Sequence, residues 1–187
     1  AVAALFRCGC TANHVTLTAA ILSLALGAGL LGAARAGAWH WFLLLPPWCL
    51  LRMALNAIDG MLAREYAQRS TLGAYLNELG DVLADAALYL PFAFVDTSTH
   101  WPTLLVIFLA GLSEMAGVLG AVTGSERRND GPLGKSDRAL VFGLLSLLLG
   151  SGHLPVDWLQ TALNLVAGLL VWTIVKRARH GMMAARQ

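Results

Sequence analysis

Six apolar stretches, at 15–34, 39–63, 73–95, 102–122, 138–150 and 154–175, fill most of this 187-residue chain. An α-helix rises about 1.5 Å per residue, so ~20 apolar residues cross the ~30 Å hydrocarbon core of a bilayer. All but the fifth stretch reach that length, and the fifth falls short unless it starts near Ser136. Backbone groups inside lipid must find their partners within the segment, which makes each stretch a helix. The chain is 57% hydrophobic and 13% charged, with a mean hydropathy of +0.65, outside the range of soluble domains. The expected fold is an all-α membrane protein with six transmembrane helices in one domain, residues 1–187. No internal repeat, low-complexity run or linker divides it, and no basic–aromatic pattern suggests a nucleic-acid partner.

The sidedness of charge orients the helices. Arg7, Arg64, Arg69, Arg127, Arg128, Lys135, Arg138, Lys176, Arg177, Arg179 and Arg186 fall on one side of a six-helix arrangement. Only Arg35 falls on the other, and Arg52 lies within the second helix. The excess of Lys and Arg on cytoplasmic loops predicts both termini in the cytoplasm. The same basic face also suits anionic lipid head groups. Pro46 and Pro47 predict a kink in the second helix.

The apolar pattern is broken once in a way that asks for a function. Residues 56–81, NAIDGMLAREYAQRSTLGAYLNELGD, put ionisable side chains at the end of the second stretch and the start of the third. Charges in a bilayer are costly and mark sites of function. At about 100° per residue, Asn56, Asp59, Gly60 and Ala63 share one helix face, and Gly73, Asn77, Asp81 and Asp85 share the next. Two such faces brought together make a pocket of oxygen ligands flanked by small residues. By this geometry the pocket opens on the cytoplasmic side, where a water-soluble nucleotide can meet a lipid.

This pattern resembles the CDP-alcohol phosphotransferase (CDP-alcohol phosphatidyltransferase) family, whose signature runs D-x-x-D-G-x-x-A-R, about eight residues, then G-x-x-x-D-x-x-x-D. Asp59, Gly60, Ala63, Arg64, Gly73 and Asp81 fall in register, while Asn56 and Asn77 stand at the first and third aspartate positions. The resemblance implies an integral-membrane enzyme of the bacterial inner (cytoplasmic) membrane, multi-pass, with its active site on the cytoplasmic side. Such an enzyme moves a phosphatidyl group from CDP-diacylglycerol to a small alcohol and releases CMP. Transfer from a CDP-alcohol to diacylglycerol, or CDP-lipid binding without transfer, are the alternatives. A cation pathway lined by Asp59, Asp81, Asp85 and Glu114 gives the D-G-x-x-A-R frame no purpose.

The resemblance further implies Mg²⁺ or Mn²⁺, one ion or two, held by Asp59, Asp81, Asn56 and Asn77, because a diphosphate at a transferring centre calls for charge neutralisation. Asp81 is a ligand or the base that takes the acceptor's proton. Asn13, Thr16, Asp59, Gly60, Ala63, Arg64 and Gly73 are the expected nucleotide contacts. Thr11-Ala12-Asn13-His14-Val15-Thr16 is similar to the family's T-P-N-x-x-T entry to helix one, although Asn13 also suits a helix N-cap. Arg64 serves either a phosphate or interfacial anchoring. Lys135 and Arg138 are expected at an acceptor or lipid phosphate, or else as a positive-inside flank with Ser136 or Asp137 capping their helix.

An amide oxygen ligates a hard cation but brings no charge, so two carboxylates balance one dication where four balance two. Glu78 and Asp85 either compensate for the lost charge or form ion pairs with Arg52 or Arg64. Glu114 is a further intramembrane carboxylate without an evident partner. A homodimer is expected, partly from the resemblance and partly because Gly111, Gly117, Gly120 and Gly124 keep the fourth helix slender.

Overall fold

Thr11 opens the first long helix: its hydroxyl accepts the His14 N–H at 3.2 Å, closing the helix start with a side-chain cap. Thr11 and not Asn13 is therefore the cap, which leaves the Asn13 amide on the first turn. The computed structural model describes residues 2–184 and places seven α-helices there: α1 (Val2–Arg7), α2 (Ala12–Arg35), α3 (Leu45–Glu65), α4 (Thr71–Tyr89), α5 (Thr97–Val122), α6 (Lys135–Gly150) and α7 (Val156–Ala184). Among the described residues there is no strand. Arg186 lies outside them.

Two 3₁₀ segments extend the helices, Trp39–Leu44 before α3 and Leu90–Phe94 after α4. Pro46 and Pro47 do not kink a helix as expected. They sit in the first turn of α3, where a missing N–H costs nothing and the fixed φ suits the helix. Asp96 caps α5 by accepting the Ser98 N–H at 2.8 Å, and this bond holds its exposed carboxyl below the usual range. The Asp137 carboxylate accepts the Gly134 N–H at 2.8 Å in front of α6.

α2, α3, α5 and α7, with α3 taken from Trp39, are long and apolar enough to cross a membrane. The six expected spans thus stand at four by this measure. α4 carries Glu78, Asp81 and Asp85, and α6 has only 16 residues, ~24 Å of rise. α7 runs nine residues beyond the expected end at 175 because Arg177 and His180 are tied back to the 123–134 loop. Arg177 Nε donates to the Asp130 carbonyl at 3.1 Å, and His180 Nδ1 lies 3.1 Å from the Asp130 carboxylate.

α2 packs on α4, α3 on α6 and α2, and α5 on α7. Gly27 sets the α2–α4 distance, since a methyl there would stand 2.3 Å from the Ala87 carbonyl oxygen. Aromatic rings fill the middle: Tyr89 stacks on Phe142 at 3.7 Å between centroids, and Phe92 meets Phe42 and Phe142 edge-on. Leu50, Phe108, Leu140 and Trp172 point outward, whereas Arg52, Asp85, Glu114, Arg138 and Arg177 are buried. An apolar exterior around a charged interior is what a bilayer solvent selects. Gly117 and Gly120 receive the Arg128 segment, and Gly111 meets Val82. The glycines of α5 thus serve packing inside the monomer.

Candidate active site

Ala12 N–H donates to the Gln68 side chain at 2.7 Å, so the start of α2 is tied to the segment between α3 and α4. Gly73 brings the start of α4 to the same place, because a methyl there would stand 2.7 Å from Asn13 Oδ1. Lys135, at the start of α6, reaches the Asp81 carboxylate on α4. These contacts gather four helix ends around a cavity of about 530 Å³. Its walls include Asn13 and Thr16 from α2, Asn56, Asp59, Gly60, Ala63 and Arg64 from α3, Gly73 and Asn77 from α4, and Lys135 from α6. Two helix faces read from sequence therefore do converge.

Each carboxylate near the cavity has a defined partner. Thr16 Oγ1 donates to Asp59 Oδ2 at 2.7 Å. Asp81 is buried behind the cavity wall, with Arg52 Nη2 at 2.8 Å and Asn56 Nδ2 at 3.3 Å from Oδ1, and the Lys135 ammonium on Oδ2. The guanidinium of Arg64 lies beside Gly60, where a methyl would meet Nη2 at 3.4 Å.

Three residues expected at the site face elsewhere. Arg138 is 1% exposed and donates to Asp85 at 2.9 Å, Glu114 at 2.9 Å and Ser113 at 3.2 Å. Its fork is filled by these partners, as a guanidinium buried in a protein interior requires, and it does not line the cavity. Asp85 is held between Arg138 and Arg52, the latter at 2.5 Å. Glu78 pairs with Arg127 at 2.8 Å, and Arg127 also reaches Glu114 at 2.9 Å. Both Glu78 and Asp85 thus neutralise arginines, and Glu114 finds its partners in Arg138, Arg127 and Arg177.

Arg52, Gln68, Arg69, Ser70 and Ser136 also line the cavity, beyond the residues that the signature places there. Arg52 is legible in the sequence: it precedes Asp59 by seven residues, two helical turns, on the same face. With it, the lining holds four cationic side chains, Arg52, Arg64, Arg69 and Lys135, against one carboxylate, Asp59. Such a cavity attracts a polyanion.

Among the described residues, no group of three or more His, Cys, Asp and Glu side chains is arranged to hold a metal ion. Hard oxygen donors are nevertheless present in Asp59, Asp81, Asn56 and Asn77. One or two carboxylates together with substrate phosphates suffice for one Mg²⁺ or Mn²⁺. This donor set, with Asp81 also facing Arg52 and Lys135, fits a divalent cation held jointly with substrate phosphates.

The model of the CDP-alcohol phosphatidyltransferase family matches residues 10–175. The inner membrane protein YnbA of Escherichia coli (strain K12) is 43% identical over 183 residues, 98% of this chain and 90% of that protein. Among solved structures, the fold is similar to phosphatidylinositol phosphate synthase (PgsA1) of Mycobacterium tuberculosis in complex with manganese and citrate. The TM-score is 0.75 at 20% identity, covering 98% of this chain and 88% of that one. The same synthase with CDP-DAG bound aligns with a TM-score of 0.73 at 20% identity, over 98% and 90% of the two chains. On the family match and the relative's identity over nearly its whole length, the chain belongs to the CDP-alcohol phosphatidyltransferase family.

Proposed function

We propose that this protein transfers a phosphatidyl group from CDP-diacylglycerol to a small alcohol and releases CMP. The observation that carries the reading is the cationic cavity at one end of an apolar bundle, walled by the signature residues of α3 and α4. A nucleotide diphosphate enters this end from water while the acyl chains stay along the lipid-facing helices. Thr16 fixes the Asp59 carboxylate, Asn13 and Arg64 meet the nucleotide, and Gly60, Ala63 and Gly73 leave room for it. The acceptor hydroxyl attacks the phosphorus that carries the diacylglycerol. The bond from that phosphorus to the CMP oxygen breaks, and Asp81 takes the hydroxyl proton. A divalent ion at Asp59, Asp81, Asn56 and Asn77 would supply charge neutralisation for the diphosphate.

The reading also holds that α4 with its 3₁₀ extension and α6 cross the bilayer, giving six spans with both termini and the cavity in the cytoplasm of a bacterial inner membrane. A homodimer now rests on the family resemblance alone. A CDP-lipid binder without transfer is the second reading, favoured by the two amides and by the engagement of both Asp81 oxygens.

Purified protein given CDP-diacylglycerol and a panel of small alcohols should release CMP with at least one of them. Chelation should stop that release, and Mg²⁺ or Mn²⁺ should restore it. CMP release that persists in chelator would sink the metal requirement. No release with any acceptor, alongside saturable CDP binding, would favour the binder.

The amides give a further expectation. Restoring Asn56→Asp and Asn77→Asp together adds two negative charges to a site arranged for one ion, and mutual repulsion penalises both carboxylates. CMP release in the double variant should not exceed that of the natural protein. A silent natural protein beside an active double variant would mark the amides as decay and not adaptation.

A further inference from the structure

Lys135 is the first residue of α6, a position where the helix dipole disfavours a cation. Its ammonium nevertheless points into the bundle and donates to Asp81 Oδ2. The side chain is 27% exposed, and it lines the large cavity and also a smaller neighbouring one of about 260 Å³ shared with Arg127 and Arg177. Asp81 Oδ1 already faces Arg52 at 2.8 Å. One carboxylate therefore answers two fixed cations, in a site where amides stand at two positions that carry aspartates in the family signature. The positive charge that amides cannot attract from solution is supplied by the chain itself.

We propose that Lys135 is a tethered cation that takes the place of a second divalent ion. Its ammonium rests on Asp81 and competes with metal for that carboxylate. A diphosphate entering the cavity offers the ammonium a second anionic partner. Its departure uncovers Asp81 Oδ2, which is then free to accept the acceptor's proton. Lys135 is thus a positioning residue, and substrate entry is coupled to exposure of the base. This deepens the transferase reading and rests on it. The sign of its effects on metal and on nucleotide binding is measured without turnover, so its failure is distinct from failure of that reading.

The test titrates purified protein with Mn²⁺, following free Mn²⁺ by electron paramagnetic resonance, and separately with CDP in excess chelator. Lys135→Met, a substitution of similar volume, should bind Mn²⁺ at least ~10-fold more tightly, since a competing charge is gone. The same variant should bind CDP at least ~10-fold more weakly in chelator, since the diphosphate loses a fixed cation. Lys135→Arg keeps the charge and should stay close to the natural protein in both titrations. Lys135→Gln repeats the neutral case if the methionine variant does not fold. A residue that only supports the fold would weaken both ligands together. That outcome, or unchanged Mn²⁺ affinity in both neutral variants, overturns the proposal.

Discussion

Asp81→Asn should lower CMP release by about 10²–10⁴-fold, the usual worth of a positioned general base. The amide is nearly isosteric but cannot take a proton, and it no longer balances Lys135. The change removes the Arg52–Asp81 and Lys135–Asp81 pairs, but Arg52 keeps Asp85 at 2.5 Å and the amide oxygen still accepts from it. The thermal midpoint in detergent should therefore move little while turnover collapses. Natural rates in this variant would remove Asp81 from the chemistry. A collapse of stability together with turnover would make its role structural.

The second large effect is expected in stability. Arg138 is among the most deeply buried side chains and joins Asp85 on α4 to Glu114 on α5 from its place on α6. Arg138→Met preserves much of the volume but leaves both carboxylates short of a partner. Breaking a buried pair from one side costs about 3–5 kcal/mol, because the remaining charge stays desolvated. Asp85 retains Arg52, and Glu114 retains Arg127 and, at 3.6 Å, Arg177, which sets the loss toward the lower end. Thermal or denaturant unfolding in detergent reads the change. A variant as stable as the natural protein would mean that the three-helix network contributes no net stability.

These two residues also mark how far the sequence could be read. Periodicity puts Asn56, Asp59, Gly60 and Ala63 on one face and Gly73, Asn77 and Asp81 on another, and their side chains meet around or behind one cavity. That inference needs only 100° per residue. Periodicity does not say which helix packs opposite Arg138, because its partners lie 53 and 24 positions away in the chain. The positive-inside pattern and a phosphate site ask for the same residue type, and only packing separates an arginine facing water from one buried against Asp85. Glu78 was ambiguous for the same reason, since Arg127 lies 49 positions distant. The apolar run, continuous from Trp39, places Pro46 and Pro47 inside one helix and so predicts a kink. The change from 3₁₀ to α geometry at Leu45 leaves no mark in hydropathy.

The most direct test of the account follows the lipid itself. Protein reconstituted in nanodiscs is given CDP-diacylglycerol labelled at the phosphate next to the diacylglycerol, with the acceptor that releases most CMP. A transferase moves the label into a new phospholipid containing that alcohol, one equivalent for each CMP released, and Asp81→Asn stops both. Label that stays in CDP-diacylglycerol while the protein binds it, or that appears as phosphatidic acid whatever the alcohol, would contradict a transferase.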